Sequence, residues 1–190
     1  MTKIINIRLI AAKQLTQVDK EAIQALCTRA YDEDVWCDYE YLNDAFHVVG
    51  FDGENIVSHA LWVERYLSVN NNAPLLTAYV EYVATEPRLQ GQGLASQLLH
   101  FLIDAIQNPI LLYRELNHDV DYQLAALAPA DSRFYQRLGW ELWQGNLSVR
   151  NHAQQIMTPD DDVMIYRLAS TPKICITNDL SAEWREGELW

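Results

Sequence analysis

Apolar and polar positions change period several times along the chain, and each change marks an element. Ile4 to Ile10 alternates as a first strand. Thr16-x-x-Asp19 has the form of a capping box, and Val18, Ala22, Ile23, Leu26, Cys27 and Ala30 then recur at helical spacing. The acidic, aromatic stretch YDEDVWCDYEYLND follows, with part of it expected as a short second helix. His47 to Phe51 reads as a strand, Asp52-Gly53 as a hairpin turn, and Ile56 to Val69 as the returning strand. After a turn at Asn70-Asn71-Asn72, Leu75 to Thr85 is a third long strand, which Pro87 ends. Leu94, Leu98, Leu99, Leu102, Ile103 and Ile106 place a helix over 94–106, stopped by Asn108-Pro109. Residues 110–121 fit neither period and read as an insertion. Leu124 to Ala128 is a short apolar strand, and Ser132 to Leu138 a helix closed by Gly139. Trp140 to Val149, Met164 to Leu168 and Lys173 to Thr177 read as late strands. Strands in a run, then interleaved with helices, predict an α/β (α+β) fold with one mixed sheet.

Composition narrows this picture. The 190 residues, 49% of them hydrophobic, suit one domain over residues 1–190. No apolar run approaches the roughly 18–20 residues of a membrane helix, and the N-terminus lacks the pattern of a secretory signal. A soluble, cytoplasmic protein is expected. Cys27, Cys37 and Cys175 are far apart, which suggests neither a disulfide framework nor a zinc site, so no metal is expected. The net charge of −12 argues against a nucleic-acid partner and permits a cationic one.

The segment TEPRLQGQGLASQLL carries the most chemistry. It sets Arg88-x-x-Gly91-x-Gly93 between a strand and a helix. Two glycines let the backbone turn tightly and approach a ligand closely, and the helix start offers unpaired N–H groups and a positive dipole end. A diphosphate fits such a place, although the same spacing also serves a simple helix start. No Gly-Lys-Ser/Thr follows, and the third glycine of a dinucleotide loop is missing.

R-x-x-G-x-G between a central strand and a helix resembles the acetyl-CoA pyrophosphate loop of the GNAT superfamily. Some 40 residues on, Phe134-Tyr135-x-x-x-Gly139-Trp140 resembles that superfamily's later motif. The resemblance implies the GNAT fold, a mostly antiparallel central sheet flanked by helices, and acetyl-CoA as cosubstrate. It implies cofactor contacts from Val83, Thr85, Arg88, Leu89, Gln90, Gly91, Gln92, Gly93, Leu94 and Tyr135. It also makes the Val83 N–H an oxyanion donor and Tyr135 the general acid for the departing thiolate. Without the motif, Tyr135 reads first as an aromatic packing its helix on the sheet.

A finer likeness is to aminoglycoside 2'-N-acetyltransferases. It rests on Ala78-Tyr-Val-Glu-Tyr-Val-Ala84, Gly139-Trp140-x-x-Trp143-x-Gly145, Thr158-Pro-Asp-Asp-Asp162 and the ending Asp179-Leu-Ser-Ala-Glu-Trp-Arg-Glu-Gly-Glu-Leu-Trp190. It implies Glu81 as substrate contact and base, with Asp34, Asp38, Asp161 and the Trp190 carboxylate holding a polycationic amine. It also implies a homodimer built on the late strands. Asp44-Ala45, Tyr82 and Ala128 depart from that family's pattern near where the acceptor binds. A polyamine, an amino sugar or a peptide terminus is therefore an alternative acceptor. A non-catalytic acyl-CoA-binding protein is a third reading. His47 is read as structural.

Overall fold

The computed structural model describes residues 4–34, 36, 39–151, 154–187 and 189–190. Asp38 and Cys37 lie outside the described residues. Helix α1 (Gln17–Tyr31) begins as its capping box requires: Thr16 Oγ1 accepts from the Asp19 N–H at 3.2 Å, and the Asp19 carboxylate accepts from the Thr16 N–H at 3.1 Å. Ile23, Leu26 and Cys27 form its buried face, against Val49 and Ala84. Val18 was expected on that face but is 74% exposed. Five residues separate it from Ile23, and at about 100° per residue that places it about 140° around the helix.

The chain divides into two compact units, each discontinuous in sequence. The first holds residues 1–63 and 80–120. Here β1 (Asn6–Ala11) pairs antiparallel with β2 (Phe46–Asp52), and β2 with the first part of β3 (Asn55–Val69) across the Gly53 turn. The last part of β4 (Leu75–Thr85), α1, α2 (Leu94–Ile106) and α3 (Pro109–Leu116) complete it. The second unit holds residues 64–79 and 121–190. Its strands are ordered β6-β9-β5-β4-β3-β10-β7-β8, with β5 (Leu124–Leu127), β6 (Glu141–Leu142), β7 (Leu147–Asn151), β8 (Gln154–Met157), β9 (Met164–Arg167) and β10 (Leu180–Glu183). Within it β4–β5 and β7–β10 are parallel pairs. Helix α4 (Ser132–Gln136) follows β5.

Three sequence expectations are corrected. Residues 110–121, which fit neither period, begin with a helix: Asn108 Oδ1 caps the Leu111 N–H at 3.0 Å and Pro109 takes the first helical position of α3. The run Trp140 to Val149 is two strands, because the Gln144 and Gly145 N–H groups turn aside to the Ile176 carbonyl. A β-carbon at Gly145 would collide with the Asn178 carbonyl oxygen, so this crossing requires glycine. Lys173 to Thr177 is no strand, and the last strand is β10. Among the described residues, no helix is long and apolar enough to cross a membrane.

Candidate active site

In the first unit, β4 ends at Thr85 and a single 3-10 turn, Pro87–Leu89, leads into the glycine loop. Gly91 and Gly93 adopt φ of +74° and +83°, which only glycine takes without strain. The loop is anchored from beneath: Leu94 is buried with Ile5 and Val57, and Leu89 packs on them. Gln90 Nε2 donates to the Thr85 carbonyl at 3.3 Å. Helix α2 has no side-chain cap and no acidic residue in its first turn, so its leading N–H groups are open to an anion. The Arg88 side chain is 79% exposed, and its Nε lies 3.6 Å from Glu86 Oε1. Glu86 Oε2 accepts from Arg29 at 3.0 Å, which leaves the loop without an uncompensated acid. These features fit the diphosphate of acetyl-CoA.

Upstream on β4, the in–out alternation stops. Glu81, Tyr82 and Val83 are all half-buried, and Tyr82 has φ of +52°. Tyr41 Oη donates to Glu81 Oε2 at 3.4 Å, and Tyr31 Oη donates to the Val83 carbonyl at 3.2 Å. Ser58 Oγ lies 3.2 Å from both the Ala84 carbonyl and Thr85 Oγ1.

Tyr135 belongs to the second unit. Asp131 caps its helix by accepting from the Arg133 N–H at 3.1 Å. The Tyr135 ring meets Phe134 and Trp140 edge-on, at centroid distances of 5.0 and 6.1 Å. Burial pushes the phenol up to about 12, so it keeps its proton throughout the physiological range. None of the described residues hydrogen-bonds its hydroxyl.

The carboxylates fall in separate places. Asp34 lines a surface cavity of about 540 Å³ in the first unit, with Glu21, Gln24 and Trp36. Asp161 and Trp190 line one of about 440 Å³ in the second unit, with Asp160 and Asp162. The second cavity's wall is well fixed. Trp190 Nε1 donates to Thr158 Oγ1 at 2.8 Å, and the Leu189 carbonyl accepts from Arg65 Nη1 at 2.8 Å. Arg65, 1% exposed on β3, also bonds the Glu183 carboxylate at 3.2 Å and carbonyl at 2.8 Å. Its guanidinium lies 4.9 Å from the Tyr79 ring centroid. Burial and then Arg185 lower the Arg65 pKa, while Glu183 opposes the shift.

Sequence reading named the run Thr158 to Asp162 but gave a role to Asp161 alone, and it missed Arg65. The run of three acids after Thr158-Pro159 was signal enough for the aspartates. For Arg65, the only signal was a lone cation within the apolar stretch of β3.

A model for the acetyltransferase (GNAT) domain matches residues 6–143. The chain belongs to the GNAT acetyltransferase family. GNAT acetyltransferases use acetyl-CoA. A curated GNAT relative, the aminoglycoside 2'-N-acetyltransferase of Mycolicibacterium fortuitum, is 28% identical over 96% of this chain and 91% of its own. Solved GNAT structures share the fold. The Escherichia coli family member YhbS, in complex with CoA, gives a TM-score of 0.61 at 19% identity, over 96% of this chain and 90% of that one. Eis1 of Mycobacterium abscessus gives 0.57 at 16% identity, over 76% of this chain and 33% of that one. The chain thus spans about a third of Eis1.

Proposed function

We propose that this chain transfers the acetyl group of acetyl-CoA to the 2'-amine of an aminoglycoside. The observation that carries this reading is the cavity lined by Asp160, Asp161, Asp162 and Trp190, whose consecutive carboxylates suit a polycation. The activity for which the M. fortuitum relative is named supports it.

Acetyl-CoA supplies an activated thioester carbonyl. The diphosphate rests on the amides of Leu89 to Leu94 beside Arg88, and the pantetheine arm pairs with the backbone of Val83 and Thr85. The neutral amine attacks the carbonyl carbon, forming a C–N bond as the carbonyl becomes an oxyanion held by the Val83 N–H. Glu81, directly or through a water, takes the proton released by the attacking nitrogen. The C–S bond then breaks, and Tyr135 gives its proton to the thiolate. Asp160, Asp161, Asp162 and the Trp190 carboxylate bind the remaining amines. The acetylated antibiotic has lost one positive charge and one ammonium donor, the physical basis for resistance.

A cytoplasmic location and a homodimer belong to the same proposal. Strand β8 ends the strand order and exposes Ile156 and Met157, an edge suited to a second copy. A smaller amine is the second reading. It is favoured by Tyr82, whose ring packs on Trp36 at 4.8 Å next to Glu81 in sequence and occupies space that a small residue would leave open.

The test is CoA release from acetyl-CoA with three acceptors: an aminoglycoside with a free 2'-amine, one with a 2'-hydroxyl, and spermidine. Turnover with the first alone is expected. Turnover with spermidine alone, or equally with both aminoglycosides, would overturn the assignment.

A further inference from the structure

Tyr82 occupies the left-handed region in the middle of a strand, with φ of +52°. For a residue with a Cβ this costs about 1–2 kcal/mol, so its surroundings must impose it. They are two histidines and an indole. His59, on β3 and fully buried, places Nδ1 3.0 Å from the Tyr82 carbonyl oxygen. Its Nε2 lies 2.9 Å from Nδ1 of His47, which sits on β2 at 2% exposure. The Trp36 ring packs against Tyr82 at 4.8 Å and His59 at 6.4 Å.

The chemistry of these atoms gives the chain one direction. A carbonyl oxygen only accepts, so His59 Nδ1 carries the hydrogen. In a neutral imidazole the other nitrogen is then an acceptor, so His47 Nδ1 donates to His59 Nε2. Burial holds both rings neutral, with His47 lowered to about 2 and His59 to about 4. His59 and Lys20 add to the shift at His47. A proton added to His59 would set two N–H groups facing each other across 2.9 Å.

The carbonyl these histidines hold belongs to the same planar, trans peptide unit as the N–H of Val83. In a trans peptide, C=O and N–H point in opposite directions, so fixing one aims the other. A hydrogen bond accepted at the oxygen also polarises the N–H into a stronger donor.

We propose that His47 and His59 are positioning residues that aim and polarise the Val83 N–H through the Tyr82 carbonyl. The assignment rests on the proposed role of that N–H as oxyanion donor. Both histidines are buried, His59 fully. They act through the peptide, and they explain how a tyrosine is kept where strain alone would favour glycine.

The experiment compares His59→Phe, which fills the space without a donor, with His59→Asn, whose amide N–H occupies the Nδ1 position. In His59→Phe, kcat should fall about tenfold, less than for outright removal of an oxyanion donor. KM for acetyl-CoA should change less than threefold, and His59→Asn should recover most of kcat. Ring 15N spectra of the wild type should show protonated Nδ1 and bare Nε2 on both histidines. The Val83 amide proton should move upfield in His59→Phe and return in His59→Asn. An Nε2-protonated His59, or an unchanged kcat and Val83 shift in His59→Phe, would overturn the proposal. If no acceptor amine is turned over, the functional reading fails, and the ring tautomers and Val83 shift still decide the positioning role. If His59→Phe does not fold, the wild-type tautomers and His59→Asn decide it.

Discussion

The glycine loop and the aspartate cavity are built from opposite materials. The loop between β4 and α2 presents main-chain N–H groups, and its side chains either point to solvent, as Arg88 does, or are buried as anchors, as Leu94 is. The cavity beside Trp190 is lined by side-chain carboxylates on a turn, held by a buried arginine and a threonine hydroxyl. A backbone site depends on conformation, and few substitutions can retune it. A carboxylate site depends on charge, and each residue can be exchanged. In the proposed function the acetyl donor is therefore held by geometry, while the acceptor is held by chemistry that is easy to vary.

The largest expected effect belongs to neither region and separates binding from chemistry. Tyr135→Phe keeps the ring between Phe134 and Trp140 but removes the acid, so kcat should fall about 10²-fold with both KM values nearly unchanged. Steady-state kinetics would show it. A parallel loss of acceptor binding would mean that the hydroxyl anchors substrate.

Next come the glycines. Gly91→Val with Gly93→Val forces two β-branched residues into left-handed backbone. Acetyl-CoA affinity, measured by calorimetry, should fall more than tenfold while acceptor binding persists. A loss of both would end the contrast drawn above.

Replacing Asp160, Asp161 and Asp162 with asparagine should raise KM for a polycationic acceptor roughly tenfold, at about 1 kcal/mol or less per charge. The effect should shrink with added salt, and KM for acetyl-CoA should hold. An equal rise for a neutral amine would show that the turn acts by shape.

Arg65→Leu tests how much the acidic cavity depends on its support. It strands the Glu183 and Leu189 oxygens, a loss of about 2–4 kcal/mol. The melting temperature should drop, with acceptor KM rising even though no lining aspartate has changed.

A further effect is on pH. His47 and His59 titrate near 6.5 when unfolded but near 2 and 4 when folded. The unfolded chain therefore binds more protons below pH 6.5. Stability is unaffected by them above that value and declines as pH falls, down to about 4 for His59 and about 2 for His47. Hydrogen exchange should show the β2–β3 pairing loosening in this window before the β7–β10 pairing does. Simultaneous loosening of both would point to carboxylates as the cause.

How far the sequence could be read follows the same division. Helix α2 and strand β4 have their expected bounds, because long periodic runs with glycine and proline at their ends leave little freedom. The loop was readable because left-handed turns leave glycines in the sequence. Strand β8 was not, since all four of its residues are exposed and no apolar alternation marks it. Strand β10 lies next to the stretch that was expected as the strand. Its register comes from β7 and β3, distant partners that no local pattern reveals. The carboxylates were named as a set, yet Asp34 and Asp161 line different cavities, which residue type alone does not show. His47 was read as structural. Its neighbour His59 comes from another strand, and their pairing depends on register.

Asp160, Asp161 and Asp162 are all exposed, on a turn between β8 and β9. Substitutions at such surface positions usually move stability by no more than about 0.5 kcal/mol. A lineage carrying this fold can therefore change one acid at a time without approaching the threshold at which the protein fails to fold. Under the proposed function, intermediates on the way from one acceptor to another remain viable proteins, and acceptor preference is open to selection.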